Sequence, residues 1–252
     1  MARGPEGDER REEAEHDLKN VKEELSKLKG EQAKVEAVTK APLSQTFPKT
    51  SFCSVFYRRY PVAIVPPESL AASSVFAVPR GDGGKPRPLT NSEQLEGFFK
   101  RNINPVRSAD EAKNVLRAWL ELAQVFEQDG YYKFEVLEDS LKVAAADGGL
   151  KASGRVIVTA GGNGDITATL TFDAGGKLTK VEHSAKLKPG PRPRCQATKL
   201  LDPDPIVRGM AEDELLYMGR AAKDYIDEQR ARANPELRAA IDRVWGRICE
   251  RE

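Results

Sequence analysis

Between Ile166 and Phe172 every second residue is apolar, with Ile166, Ala168, Leu170 and Phe172 alternating with Thr167, Thr169 and Thr171. A period of two puts the two sets on opposite faces of an extended chain, so a strand with one dry and one wet face fits the pattern. Glycine-rich breaks at 161–165 and 173–177 flank this run, and such breaks supply the positive φ angles that tight hairpin connections need. Before the first break lies the run 155–158, β-branched from Val156 to Val158. After the second, Thr179, Val181, His183, Ala185 and Leu187 share one face, with Lys180, Glu182, Ser184, Lys186 and Lys188 opposite. The pattern predicts an antiparallel meander over 153–187 whose apolar face must be buried against a neighbouring element.

That element is legible upstream. Capping boxes at 90–93 and 108–111 open two helices. The first carries Leu95, Phe98, Phe99 and Ile103; the second carries Ala112, Val115, Leu116, Trp119, Leu122, Ala123 and Phe126 in one broad stripe and stops at Asp129 and Gly130. Trp119 is expected to pack on the face bearing Ile166, Leu170 and Phe172. Beyond Gly130 the period returns to two, with Tyr132, Phe134 and Val136, then Leu141, Val143 and Ala145, adding two strands. Residues 89–188 therefore read as an α+β domain, a helix packed on a curved antiparallel sheet of about five strands. In element order this is similar to cystatin-like and nuclear-transport-factor-like folds.

The flanks read differently. Over 1–40 a charged helix is expected, with Ala14, Leu18, Val21, Leu25, Leu28, Gln32 and Val35 at heptad spacing. This seam could form a short coiled coil and a weak homodimer. Residues 41–88 contain Pro42, Pro48, Pro61, Pro66, Pro67, Pro79, Pro86 and Pro88, and are expected to be a largely irregular linker in which the apolar patches 52–56 and 62–65 could each be a short extended segment. A second stiff linker, rich in Pro and Arg, spans 189–199. From 200 to 252 three short helices are expected, with Asp204 before Pro205 and Asn234 before Pro235 as caps and Gly219 as a stop. Val207, Met210, Leu215, Leu237, Ile241, Val244, Trp245 and Ile248 are read as inward.

In this last segment Asp204, Val207, Arg208, Ala211, Leu215, Gly219 and Ala222, followed by the run 235–238, resemble a HEAT-type helical repeat and the first helix of the next. The resemblance covers about the last fifth of the chain and implies a module that needs neighbours to cover its faces. The run 154–248 is also similar to uncharacterised bacterial proteins, a likeness that implies no activity.

With 40 basic against 39 acidic residues among 252, no global field favours nucleic acid or an acidic membrane surface. No apolar run is long enough to span a bilayer, and no signal sequence is read at the N-terminus, so a cytoplasmic protein is expected. Cys53, Cys195 and Cys249 are far apart, which speaks against a zinc site or a disulfide framework. Two residues are candidates for chemistry. His183 lies on the dry face of its strand, and Cys195 follows a basic stretch that would lower its pKa. Neither has a partner motif, so His183 is read as structural, and no catalytic, metal or cofactor site is assigned. His16 is a solvent residue of the charged helix. The glycines at 161–164 open a strand rather than a helix and are read as a hairpin turn, not a phosphate loop. Lys177, Lys180, Lys186, Lys188, Arg192 and Arg194 lack interleaved aromatics and are read as a solvated face. The leading functional expectation is a non-catalytic interaction or scaffold protein with a protein partner. The alternative is a small-ligand-binding or hydrolytic domain with a pocket between the 109–128 helix and the sheet.

Overall fold

The computed structural model describes residues 5–81, 84–146, 148–193 and 196–251, with side chains from residue 14 onward. It divides into two compact units, the first made of the residues up to Arg58 together with Ile64–Gly190, the second of Arg59–Ala63 and the residues from Pro191. The first unit is mixed helix and antiparallel sheet. Helix α1 spans Pro5–Lys27, then come β1 (Lys34–Ala37), α2 (Ala41–Thr46), β2 (Thr50–Phe56), β3 (Ser73–Pro79), β4 (Arg87–Leu89), α3 (Ser92–Asn102), α4 (Ala109–Phe126), β5 (Lys133–Val136), β6 (Lys142–Ala146), β7 (Gly149–Ala160), β8 (Gly162–Phe172) and β9 (Leu178–Pro189).

The expected α+β arrangement over 89–188 is present. Strands β5, β7, β8 and β9 form a sheet in that order, with β6 pairing β7. In β8 the residues Ile166, Ala168, Leu170 and Phe172 are buried, on the face the alternation assigned. Trp119 is fully buried in the same core as Ile166, Leu170 and Phe172. Both helix starts are capped by side chains: Asn91 Oδ1 accepts from Gln94 N at 2.9 Å and Ser108 Oγ from Glu111 N at 3.2 Å. Each cap satisfies an amide that the helix itself leaves without a partner, a contribution of about 1 kcal/mol. The first box is displaced by one residue from 90–93, with Asn91 and Gln94 in place of Thr90 and Glu93, and the Gln94 side chain accepts from Thr90 N; the second stands at 108–111 as expected, with Glu111 accepting from Arg107 N.

The stretch 41–88 is not an irregular linker. It forms α2 and three strands that join β1 in a second antiparallel sheet, ordered β1-β2-β3-β4. All six residues from Ser73 to Val78 are buried, because the strand is covered on both sides and has no wet face to give an alternating pattern. Phe52, Val75 and Ala77 belong to the core shared with α4, while Cys53, Val55, Phe76 and Val78 pack with Val21 and Leu25 of α1. The prolines fit because they stand where a missing N–H costs little: Pro79 ends β3, Pro88 lies in the edge strand β4, and Pro42 is in the first turn of α2. A boundary at residue 89 would cut through β4, so the α+β unit begins well before it.

The N-terminal seam also takes a different role. Helix α1 stops at Lys27, and Val35, expected in the same helix, lies in β1. The helix ends in a left-handed turn at Lys29, φ 58°, with Gly30 N donating back to Leu25 O at 2.8 Å, and Gly30 is tightly packed, since the Tyr57 hydroxyl donates to its carbonyl at 3.1 Å and a Cβ there would stand 2.4 Å from the hydroxyl oxygen. Val21 and Leu25, the centre of the proposed coiled-coil seam, are 0% and 1% exposed against this chain's own strands. The Ser51 hydroxyl on β2 donates to Asp17 of α1 and fixes the helix on the sheet. The layers of the first unit are thus α1, the first sheet, α4 with α2 and α3, and the second sheet. A helix between two sheets is buried on most of its circumference, which is why Ala118 and Leu120 are buried along with the expected stripe.

The second unit contains α5 (Pro205–Met218), α6 (Lys223–Arg232) and α7 (Pro235–Arg251), with short 3-10 turns at Ala197–Leu201 and Gly219–Ala222. Its caps are those read from the sequence: Asp204 Oδ1 accepts from Ile206 N and Asn234 Oδ1 from Leu237 N, both at 2.8 Å. Gly219, at φ 57°, sends its N–H back to the carbonyls of Leu215 and Leu216. Ala211, Leu215, Tyr225, Ile226, Ile241, Val244 and Ile248 are buried. Met210, expected inward, is 55% exposed.

Candidate functional site

Helix α4 is apolar nearly all round, yet one strip of it is polar. Glu111, Asn114, Arg117 and Glu121, spaced three, three and four residues apart, fall on one side of the helix. Two adjoining clefts open along this strip. The first, about 410 Å³, lies between α2, the α3–α4 connection and the start of α4. The second, about 460 Å³, continues past α2 towards Val136 and Glu138. Gln45 and Asn114 line both, so the two form one groove.

The groove is built on rigid parts. Its floor at Val106 is held by the turn between β8 and β9, where Val106 N donates to Gly176 O at 2.8 Å. Gly176 has φ +78°, and a Cβ there would stand 2.0 Å from Val106 O, so a glycine is required for this approach. The Asp173 carboxylate shapes the same turn by accepting from Gly175 N and Lys177 N, both at 2.9 Å. On the opposite wall, Thr46 Oγ1 is buried and has no hydrogen-bond partner among the described residues.

Charge is distributed along the groove. Arg107 stands at one end. Towards the other, Arg117 and Glu138 meet as a two-pronged ion pair, Nε to Oε1 at 3.2 Å with a closer Nη2 to Oε2 contact. Glu121 beside them is pushed above the ordinary glutamate value by burial, against the opposing pull of the Lys40 ammonium and a hydrogen bond from Gln124. Lys40 Nζ is 3.8 Å from Glu121 Oε2, and Gln124 Nε2 donates to it at 2.7 Å. Such an arrangement presents Arg107 with the Glu111 carboxylate at one end, the carboxamides of Gln45, Asn104 and Asn114 between, and the Arg117–Glu138 pair with the poorly compensated Glu121 carboxyl at the other. The chain has no match among family models, curated proteins or solved structures.

The residues singled out from the sequence lie elsewhere. His183 is half-buried on β9, its ring 6.2 Å from that of Trp119 in an edge-on contact. The imidazole Nδ1 and the Trp119 Nε1 are both buried without partners among the described residues. The expected pocket between α4 and the sheet is filled at this depth by Leu116, Trp119, Leu120 and Ala123 against Ala152, Val156, Ile166 and Leu170; the groove lies at the edge of that interface. Cys195 lies outside the described residues. Cys53, the buried thiol of β2, is pushed up to about 12 by burial and the nearby Asp17, so it stays a protonated core residue. Cys249 and His16 are exposed. On the outer face of β9 Lys180 pairs with Glu182 at 2.9 Å. Among the described residues no group of three or more His, Cys, Asp or Glu is placed to hold a metal ion, and no helix is long and apolar enough to cross a membrane.

Burial lowers the His183 pKa below its ordinary value, which gives a signed pH effect. Above about pH 6.5 the ring is neutral in both folded and unfolded chains. As the pH falls below that value the unfolded chain takes up the proton first, so folded stability decreases until the folded pKa is passed. The urea midpoint of the wild-type chain is expected to fall more between pH 7.5 and pH 5.0 than that of His183→Leu. Parallel midpoints across this range would refute the assignment of a desolvated imidazole.

Proposed function

We propose that this chain is a non-catalytic interaction protein, a scaffold in which the first unit supplies a rigid α+β platform and the C-terminal helices form a HEAT-like module that engages a partner protein. The platform is read as a helix lying across a curved antiparallel sheet, in the manner of cystatin-like and nuclear-transport-factor-like folds, with a further sheet added on the other side of the helix. A single observation carries the functional reading: Ile206, Met210 and Tyr217 of α5 are 71%, 55% and 55% exposed. Their spacing of four and seven residues places them on one side of the helix across three turns, while Ala211, Leu215 and Met218 face inward. Leu201, four residues ahead of the helix start, is 41% exposed as well. Contiguous apolar exposure of this kind marks a surface that another protein covers. Asp213, exposed in the middle of the stripe, favours a partner helix that places a basic residue among its apolar ones.

A photo-reactive residue at position 210 is therefore expected to give one discrete protein adduct in the host cells. Ile206→Glu, combined with Tyr217→Ser, should lower its yield at least tenfold. These are surface positions, and the thermal transition should move little. No adduct, or one unaffected by the two substitutions, would refute the reading.

A further inference from the structure

We propose that the groove along α4 binds an extended peptide, with an acidic group of the peptide at Arg107 and a basic group at Glu121. The site is separate from the α5 surface, and either could exist without the other. Length supports a peptide: the ten steps from Glu111 to Glu121 rise roughly 15 Å along the helix, which an extended chain covers in about four to five residues. The two clefts, about 410 and 460 Å³, fall in the size range of ligand sites.

The polar groups argue for the same occupant. Asn104, Gln45 and Asn114 present side-chain carboxamides to the groove, and no hydrogen bond ties them to other described residues. Each offers an acceptor and two donors in one plane, the complement of a peptide unit's N–H and C=O. The buried Thr46 hydroxyl adds a further donor or acceptor that is unsatisfied within the chain, and leaving such a group unpaired is costly. Ile103, Val106 and Val115 give the first cleft an apolar wall for small side chains. Neither cleft is lined by an aromatic ring, the surface on which a nucleobase stacks.

The ends select by charge. The Arg107 guanidinium is exposed and makes no ion pair with a described residue, so it is available to a carboxylate. At the other end Glu138 is already engaged by Arg117, whereas Glu121 is held only by Lys40 at 3.8 Å and one amide. A ligand ammonium or guanidinium beside Glu121 would supply the compensation that burial removes. The Val106 to Gly176 hydrogen bond and the Ser108 cap fix the groove before a ligand arrives, which lowers the entropic cost of binding.

The test uses the full chain and fluorescein-labelled, end-blocked pentapeptide pools with randomised centres, followed by fluorescence anisotropy. Pools with one Asp and one Lys end, in both orders because the chain direction is free, are expected to bind at least fivefold tighter than pools with two Asp or two Lys ends. Asn114→Leu should weaken binding at least tenfold, and Gln45→Ala, at an exposed position, should weaken it severalfold with the fold unchanged. Arg107→Glu should transfer the preference to the pool with two Lys ends. Absence of binding, equal binding of all pools, or retention of wild-type affinity in both carboxamide variants would overturn the proposal.

Discussion

Excised from the chain, residues 89–188 are expected to show no cooperative unfolding transition, although they contain both capped helices and all but the last residue of the second sheet. The reason is the other side of α4. Leu43, Phe47, Phe52, Val75 and Ala77 from the preceding segment are buried in one core with Leu95, Phe99, Leu116 and Trp119. Phe47 meets Phe52 and Phe99 in edge-on contacts with ring centroids 5.3 and 4.9 Å apart, and Phe99 in turn meets Trp119 at 5.1 Å. Burial of each large apolar side chain contributes about 1.5–3 kcal/mol, so losing four of them removes an amount comparable with the roughly 5–15 kcal/mol stability of a typical domain. It would also leave an aromatic face in water. Calorimetry on the fragment should give a broad, weak profile, whereas residues 5–190 should unfold in a single sharp transition. A sharp transition in the shorter fragment would show that the first sheet is dispensable.

Trp119→Ala is expected to be the most damaging single truncation in α4, costing about 3–5 kcal/mol. Trp119 is fully buried between the two sheets, so neither side can collapse into the space without disturbing the other. Trp119→Phe should cost markedly less, because it keeps an aromatic ring against Phe99 while removing the indole N–H that is buried without a described partner. Urea denaturation of the two variants decides the matter: equal losses would mean that a phenyl ring against Phe99 recovers nothing and that the full indole volume is needed to fill the site.

Much of the second sheet and of the helix starts was legible because each is governed by a local signal. The alternation from Ile166 to Phe172 records one wet face, and Asn91, Ser108, Asp204 and Asn234 record amides that need an acceptor. Of the first sheet only the apolar patch 52–56, within β2, carries an extended signal. Its central strand, Ser73–Pro79, is dry on both faces, and a strand of that kind carries no period. The nearby prolines were informative about strand ends but suggested disorder. Half of the groove was accessible: Glu111, Asn114, Arg117 and Glu121 could be seen as a polar strip on an apolar helix, but its facing wall is the six-residue α2, too short for any periodic signal. The spacing marks the seam of α1 as an apolar face and leaves a second copy as one possible cover for it, whereas the chain's own strands cover it. Heptad spacing reports a buried helix face and is silent about what buries it.

The position of α4 in the chain has a consequence for synthesis. One side of the helix packs on strands made before it, but the other waits for β7, β8 and β9, which end at Pro189. Translation from Phe126 to that point covers roughly 60 residues, or about 3–12 s at ordinary elongation rates of about 5–20 residues per second. Throughout that interval the nascent chain carries a completed sheet with half of its central helix uncovered. Transiently exposed apolar surface of this sort is what chaperones engage, so a ribosome stalled near residue 150 should present a chaperone-binding intermediate that a ribosome stalled well beyond residue 190 has lost.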